Sequence, residues 1–470
     1  MPVIPLPAST RAAATTGAPL DATPVVVRDP DIAPEGYRLD TGGERPTIAA
    51  ADDAGEAYAA TTLARLADGA RADGATRLPA LVIDDAPRFA WRGLMLDVAR
   101  HFHPVETVLE LIDDLAALKL NRLHLHLTDD QGWRIAIDAR PALTGIGAST
   151  QVGGGGGGHY TKDDWRRIVE HAAARHVVVV PEIDLPGHTN AALTAYPELA
   201  PAGVVPAPYE GIEVGFSTLD PRNEASYRFV EDVLGEVAAM TPGPWLHIGG
   251  DECLATPEDD FLEFIRRAAA IGAATGKTLI GWHEMGRSHD LPPGTIGQYW
   301  NLTAPQEDHA EHLLAFVAQG GRAILSPADA AYLDIKYTED HPIGLIWPGA
   351  PTTLEDAYGW EPTEIVPGLG EAGILGIEAT VFTETIVDRD ALRSMVYPRI
   401  AAVAELAWSP RPRDGRPRDL DDFRDRLARL ARRWEADGLR YERVPGVAWP
   451  APRTSRADEA GADPAATLDR

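Results

Sequence analysis

In Pro244-Trp245-Leu246-His247-Ile248-Gly249-Gly250-Asp251-Glu252, a short apolar run ends in two glycines and then two adjacent carboxylates. Trp245 to Ile248 reads as a buried strand. Glycines at a strand's end allow a tight turn and close backbone approach. Neighbouring side chains diverge there, so the two acids can address different parts of a ligand. Held in one concave site, they can also take different pKa values and different jobs. A solvated surface turn would carry the same pair. What argues against that reading is the rest of the chain, which repeats this layout of a strand followed by polar residues.

Upstream, from Trp91 onward, Leu94 to Val98 is an apolar run followed by Arg100. A helix opened by Pro104 comes next, with Val108, Leu109, Ile112, Leu115 and Ala116 at helical spacing. Leu123 to Leu127 leads to Asp129 and Asp130, and a helix over 165–175 precedes Val177 to Val180, which leads to Glu182, Asp184 and His188. Downstream, Thr278 to Gly281 reaches Trp282, and Thr295 to Gln298 reaches Tyr299 and Trp300. Ala323 to Leu325 precedes Tyr332 and Asp334, and Ile374 to Ile377 precedes Phe382 and Glu384. With the Trp245 run these make eight candidate strands. Continuously apolar strands argue for a parallel sheet covered on both faces. Closed into a barrel, such a sheet gathers its active site at the strands' C-terminal ends. The expected fold is therefore α/β, a (β/α)8 TIM barrel over residues 91–410.

The segment before it reads as a small α/β domain over 31–90, with strands near 34–39 and 80–84 and a helix over 54–66 that places Tyr58, Thr62, Leu63 and Leu66 on one side. Residues 1–30, rich in Pro, Ala and Thr, support no firm assignment. A C-terminal helical segment, 411–451, is expected to pack on the barrel through residues 420–435. The polar residues 452–470 are expected to be disordered.

Composition excludes several functions. The chain of 470 residues is 44% hydrophobic and 24% charged, ordinary for a globular protein. Its 71 acidic residues against 43 basic give a formal charge of −28, which disfavours nucleic acid or an anionic membrane as partner. Cys253, the only cysteine, leaves no intrachain disulfide and reads as a packing residue. No apolar run is long enough to span a membrane. The first residues, with Pro2, Pro5 and Pro7, do not form a secretion signal, so a cytoplasmic location is expected. The glycine run 153–158 matches GxGxxG by accident, with no tight strand before it and no helix after it, and is expected to be a mobile loop. His124 and His126 alternate on one strand face as metal ligands would, yet no further ligand set accompanies them, so core positions are expected.

Four motifs in order, 92–102 (RGLMLDVARHF), 124–134 (HLHLTDDQGWR), 181–188 (PEIDLPGH) and 247–252 (HIGGDE), resemble glycoside hydrolase family 20, the β-N-acetylhexosaminidases, from Trp91 to about Trp408. The resemblance implies an eight-stranded α/β barrel, preceded by a shortened form of the family's N-terminal α/β domain whose early strands are missing. It also implies an exo-acting retaining enzyme that uses the substrate's 2-acetamido oxygen as nucleophile, by way of an oxazolinium intermediate. By the same resemblance Glu252 is the general acid and base, Asp251 holds the acetamide N–H, and Tyr332 donates to the acetamide oxygen. Trp282, Trp300 and Trp347 would enclose the N-acetyl group and sugar ring. Arg100 would hold the C3 and C4 hydroxyls, and Glu384 and Asp334 the C4 and C6 hydroxyls. Asp129, Asp184 and His188 would orient Glu252. The implied partner is a small N-acetylhexosaminide, with no cofactor and no metal. Phe382 departs from the family, which usually has Trp there; the smaller ring predicts a roomier subsite and a relaxed preference at C4.

Two other readings fit the same residues. A metal-dependent amidohydrolase would use His124, His126 and the acids at the barrel mouth. A carbohydrate-binding protein on an inactive fold would keep the pocket without turnover. An intact Asp251-Glu252 pair with Tyr332 argues against the second.

Overall fold

The computed structural model describes residues 1–412 and 416–452. The segment expected to be disordered, 452–470, lies outside the described residues except for its first position.

Eight parallel strands close the barrel: β6 (Trp91–Asp97), β7 (Arg122–His126), β8 (Val178–Glu182), β9 (Trp245–His247), β10 (Thr278–Trp282), β11 (Ile296–Tyr299), β12 (Ala323–Leu325) and β13 (Ile374–Val381). Each pairs with the next in sequence, and β13 returns to β6 with Gly376 opposite Trp91. All eight expected strands are present. Apolar positions explain the closure. Leu123 and Leu125 pack outward into the large core shared with the surrounding helices, among them Val105–Ala117, which starts after Pro104 as expected. His124 and His126, between them, face the barrel interior beside Glu182. That interior is part apolar, with Trp91, Val180, Ile280 and Ile324 in one cluster, and part charged. β13 runs four residues past its expected end because its inward positions there are polar. Glu378 accepts from Trp91 Nε1 at 2.8 Å and from Gln298 Nε2 at 2.9 Å, and lies 2.8 Å from His124 Nδ1.

Residues before the barrel form a five-stranded sheet in the order β1-β5-β3-β4-β2, from β1 (Ser9–Ala12), β2 (Val25–Arg28), β3 (Tyr37–Asp40), β4 (Thr47–Ala50) and β5 (Leu81–Asp85). The early strands expected to be missing are therefore present, and residues 1–30 belong to this sheet. β1 pairs antiparallel with β5, and β2 parallel with β4. Helix Asp53–Ala72, capped by the Asp52 carboxylate, covers the sheet with Tyr58, Ala59 and Leu66. The core beneath it is completed from outside: Trp408, last residue of barrel helix Arg399–Trp408, is fully buried there, edge-on to Tyr58 at 5.2 Å and bonded to Asp85 at 3.0 Å.

Helix Leu420–Asp437 packs where the expectation put it. Phe423 stacks on Tyr358 at 4.2 Å, and Arg426 donates to Glu405 at 2.7 Å and to the Val3 carbonyl at 3.1 Å. It thus ties barrel and N-terminus together. The glycine run, expected to be mobile, is instead pinned: Val152 N–H donates to the Arg100 carbonyl at 2.9 Å, Gly153 to Glu210 at 2.8 Å, and Gly158 to Ala148 at 3.0 Å. Two of the glycines are needed for space: a Cβ at Gly157 would stand 2.2 Å from the Ala148 carbonyl oxygen, and one at Gly158 2.3 Å from the Phe102 ring. Among the described residues no helix is long and apolar enough to cross a membrane.

Candidate active site

Every strand of the barrel delivers its polar residues to the same rim, as the sequence layout predicted. The turn after β9 is the tightest. Gly249 and Gly250 have φ of +67° and +101°, and Glu252 follows at +45°, a region that side-chain-bearing residues seldom occupy. A Cβ on Gly249 would lie 1.7 Å from Asp184 Oδ1, and one on Gly250 would lie 2.3 Å from Met285 Cγ. Glycine is required at both places so that the backbone can press against Asp184, whose Oδ1 accepts from Gly250 N–H at 3.1 Å.

This turn separates the two acids. Asp251 keeps 15% of its side chain exposed and Glu252 34%. Burial first, then the Glu252 and Glu182 charges, push Asp251 up to about 6, although His188 draws it down. Asp184 is pushed well above the usual carboxylate range by burial and by Asp251, so it stays protonated beside its neighbour. Asp184 and Asp251 are hydrogen-bonded to each other, which draws Asp251 down against its burial.

A charged relay stands behind the pair. His188 places Nε2 3.4 Å from Glu252 Oε2 and 3.7 Å from Asp251 Oδ2, and Nδ1 3.2 Å from Asp129 Oδ1. Burial opposes charge on that ring, but Asp129 and Asp251 outweigh it and hold His188 well above its ordinary value. Asp129 also receives Arg100 Nη2 at 2.9 Å and sits 2.8 Å from His126 Nε2. Despite burial, Arg100 and His188 keep the Asp129 carboxyl well below the usual range. Arg100 is anchored in turn by Asp97, which accepts from Thr383 N–H at 3.0 Å and so binds the β6 and β13 turns together.

Asp334 and Glu384 form the opposite acidic corner. Asp334 accepts from Phe382 N–H at 3.1 Å; burial and then the Glu384 charge push it up to about 8. Burial also raises Glu384, with Arg100 pulling the other way.

The aromatic wall is continuous. Trp300 meets Trp347 at 5.8 Å, Trp347 meets Tyr332 at 5.5 Å, and Tyr332 meets Phe382 at 5.6 Å. The Arg100 guanidinium lies over the Phe382 ring at 5.2 Å. Tyr332 is held by a bridge to Thr380 of β13, and burial raises its hydroxyl well above its ordinary value, so it remains a donor. Trp282 lies deeper than the other two tryptophans: it is 1% exposed, and its indole N–H donates to Glu182 at 2.9 Å.

Glu284, two residues past β10, is a site residue that the sequence reading missed. Both its carboxylate oxygens accept from Trp300 Nε1, at 3.0 and 2.9 Å. Burial, then the nearby Asp251 charge, raises it to about 8. Its signal was present in the sequence, an acid just past a strand end, but the tryptophan before it absorbed the assignment.

Two sequence alternatives meet plain geometry. Both ring nitrogens of His124 and of His126 face carboxylates: His124 lies 2.8 Å from Glu378 and 3.1 Å from Glu182, and His126 lies 2.6 Å from Glu182 and 2.8 Å from Asp129. Those partners outweigh burial, holding His124 at about 9 and His126 well above its ordinary value. Among the described residues His126 is hydrogen-bonded at both ring nitrogens, whereas His124 bonds only through Nδ1, and its Nε2 lies with Glu182 and His247 in a group of three possible ligand atoms. Cys253 is buried, its thiol pushed up by burial, and it donates to the Asp251 carbonyl at 3.1 Å; it packs rather than reacts.

Residues 89–411 match the glycosyl hydrolase family 20 catalytic domain, and residues 2–86 match domain 2 of the same family. A beta-N-acetylhexosaminidase of Cellulomonas fimi is 45% identical over 418 residues, covering 89% of this chain and 82% of that protein. The family 20 beta-N-acetylhexosaminidase of Streptomyces coelicolor superposes with a TM-score of 0.87 at 42% identity, over 96% of this chain and 99% of that one. A mutant Streptomyces plicatus beta-hexosaminidase, solved in complex with its product GlcNAc, gives 0.86 at 41% identity over 96% and 98% of the two chains. With matches that span the small domain and the whole barrel, this chain belongs to glycosyl hydrolase family 20.

Proposed function

We infer that this chain is an exo-acting, retaining β-N-acetylhexosaminidase that releases terminal β-linked GlcNAc or GalNAc by substrate-assisted catalysis. The observation that carries the assignment of roles is the unequal pair at 251 and 252. Asp251 is the more buried and is raised to about 6 beside Asp184; Glu252 is the more exposed and backed by His188. An amide N–H suits the first. The second suits an oxygen that leaves toward solvent.

In the first half-reaction the acetamido carbonyl oxygen bonds to C1 as the C1–O bond to the leaving group breaks. Glu252 gives its proton to the departing oxygen. The resulting oxazolinium ring carries positive charge toward its nitrogen, beside ionised Asp251. Tyr332 donates to the acetamide oxygen and aims it. In the second half, water attacks C1 from the side the leaving group vacated, Glu252 takes its proton, and the ring reopens with configuration retained. Tethering the nucleophile removes an entropic cost equivalent to an effective molarity of about 10⁵–10⁸ M.

The remaining residues bind. Arg100, Asp334 and Glu384 take the ring hydroxyls, and Trp300 and Trp347 cover the sugar's apolar surface, with Trp282 as the floor. Asp129, Asp184 and His188 set the orientation and charge of the pair. The test is a panel of aryl β-glycosides of GlcNAc, GalNAc and glucose. Turnover of the first two, strong inhibition by a thiazoline mimic of the intermediate, and no turnover of the glucoside are expected. Comparable hydrolysis of the glucoside, which lacks the nucleophile, would overturn the mechanism.

A further inference from the structure

The acid that protonates the leaving oxygen necessarily points toward the aglycone, so the surface on the exposed side of Glu252 is what the leaving group meets. The chain just beyond Glu252 carries an exposed apolar residue, and others stand next to it. Leu254, two residues beyond Glu252, is 79% exposed, and its Cδ1 lies where a Cβ on Gly215 would be only 2.7 Å away. Beside Gly215, Val214 and Phe216 are 37% and 46% exposed, and Phe216 packs on Tyr209 at 4.7 Å. Ile212, on the same turn, is 46% exposed. Large apolar side chains grouped together on a surface mark a binding site more often than chance exposure.

The loop that presents them is held rigid by the catalytic network. Ser217 donates to Asp130, next to Asp129, and accepts from Thr189 N–H at 2.9 Å. Gln131 Nε2 donates to the Gly211 carbonyl at 2.9 Å, Asn190 Nδ2 to that of Ala207 at 2.9 Å, and Gly153 N–H to that of Glu210 at 2.8 Å. Tyr209 Oη accepts from Glu213 N–H at 2.8 Å, which closes the turn on itself. A loop fixed by so many bonds on its inner side cannot fold its apolar side chains inward, and little conformational freedom is left to lose when a ligand covers them. The acids it carries, Glu210 and Glu213, disfavour anionic groups at this place.

We propose that Leu254, Val214 and Phe216 form an aglycone subsite that selects uncharged leaving groups with an apolar body. The proposal rests on the hexosaminidase reading, since it takes Glu252 as the proton donor. It makes the apolar size of the aglycone, as well as its leaving ability, a determinant of the rate.

The test compares methyl and octyl β-N-acetylglucosaminides, whose leaving alkoxides are of similar basicity, with a carboxyheptyl glycoside as the anionic control. The parent enzyme should prefer octyl over methyl by about tenfold in kcat/KM, as burial of a few methylene groups allows. The carboxyheptyl glycoside should lose that advantage. In a Leu254→Ser, Phe216→Ser double variant the octyl to methyl ratio should fall toward one. Inhibition by the non-hydrolysed octyl and methyl 1-thioglycosides supplies a binding readout, and their ratio of inhibition constants should move in parallel. Equal rates for octyl and methyl glycosides, or a ratio that the double variant leaves intact, would overturn the subsite alone. Failure to hydrolyse any of these N-acetylglucosaminides while turning over plain glucosides would overturn the hexosaminidase reading and the subsite with it.

Discussion

His188 Nε2 lies 3.4 Å from Oε2 of Glu252, and the opposite nitrogen of the same ring is 3.2 Å from Asp129. An imidazole held well above its ordinary value is therefore interposed between a carboxylate held well below its usual range and one that has to give and retake a proton. Such an arrangement matters most when the leaving group needs that proton. His188→Ala should lower kcat by about 10²-fold on an alkyl glycoside, where general acid help is large, and by only a few-fold on a dinitrophenyl glycoside, which departs without it. A uniform loss across the two leaving groups would assign His188 to folding rather than to the acid.

Glu284 gives the stability of the protein a pH dependence of definite sign. Its folded-state pKa, about 8, lies above the ordinary value of 4.5, because burial and Asp251 penalise its charge. The folded state thus holds the proton more tightly than the unfolded chain. The stabilisation that this supplies is complete below about pH 4.5 and is lost as pH rises to about 8. Glu284→Gln keeps a carbonyl acceptor for the Trp300 N–H and removes the titration. Melting curves should show variant and parent alike near pH 4.5, with the variant progressively more stable by pH 9.

Phe382 sits between the Tyr332 ring and the Arg100 guanidinium, at 5.6 and 5.2 Å. It forms the wall nearest the residues assigned to the C4 hydroxyl. Phe382→Trp should narrow that corner and lower the GalNAc to GlcNAc ratio of kcat/KM by about threefold to tenfold, in keeping with the modest discrimination that apolar contacts give. Steady-state rates on the two aryl glycosides read the ratio directly.

Gly249→Ala adds one methyl group at the point where Asp184 already fills the space, in a backbone conformation with φ of +67°. Strain and collision together should cost about 2–4 kcal/mol of stability. They should also displace Asp184 from beneath Asp251. Loss of activity together with a lowered melting temperature is expected. A variant of parental stability and full activity would show that the turn has slack, contrary to the contacts described.

The barrel was legible because the outward positions of its strands are apolar and several of the inward ones are too, so most strands show as short apolar runs. Where a strand turns polar inside, the signal stops: β13 was cut at Ile377, since Glu378 and Thr380 look like loop residues until their barrel partners are known. β1 and β2 were missed for the opposite reason. They are four residues each, exposed along their whole length, and joined to the sheet through backbone bonds that leave no mark on side-chain pattern. In the site, residues just past strand ends were found by position, but the bonds that hold them were not. The link from Glu182 to His126, His247 and Trp282 joins four strands and has no counterpart along the chain.

Trp408 gives the border near residue 90 a mechanical meaning. The indole that fills the small domain's centre arrives from a barrel helix more than three hundred residues later in the sequence, and Lys119 of the barrel reaches the same centre to meet Asp85 at 3.2 Å. A fragment cut before Trp91 would carry a hole the size of a tryptophan and an uncompensated acid. A barrel freed of its N-terminus would expose both inserted side chains to water. Neither half is a separable cassette, and calorimetry of the intact chain should record one melting event where a reader of the boundary would look for two.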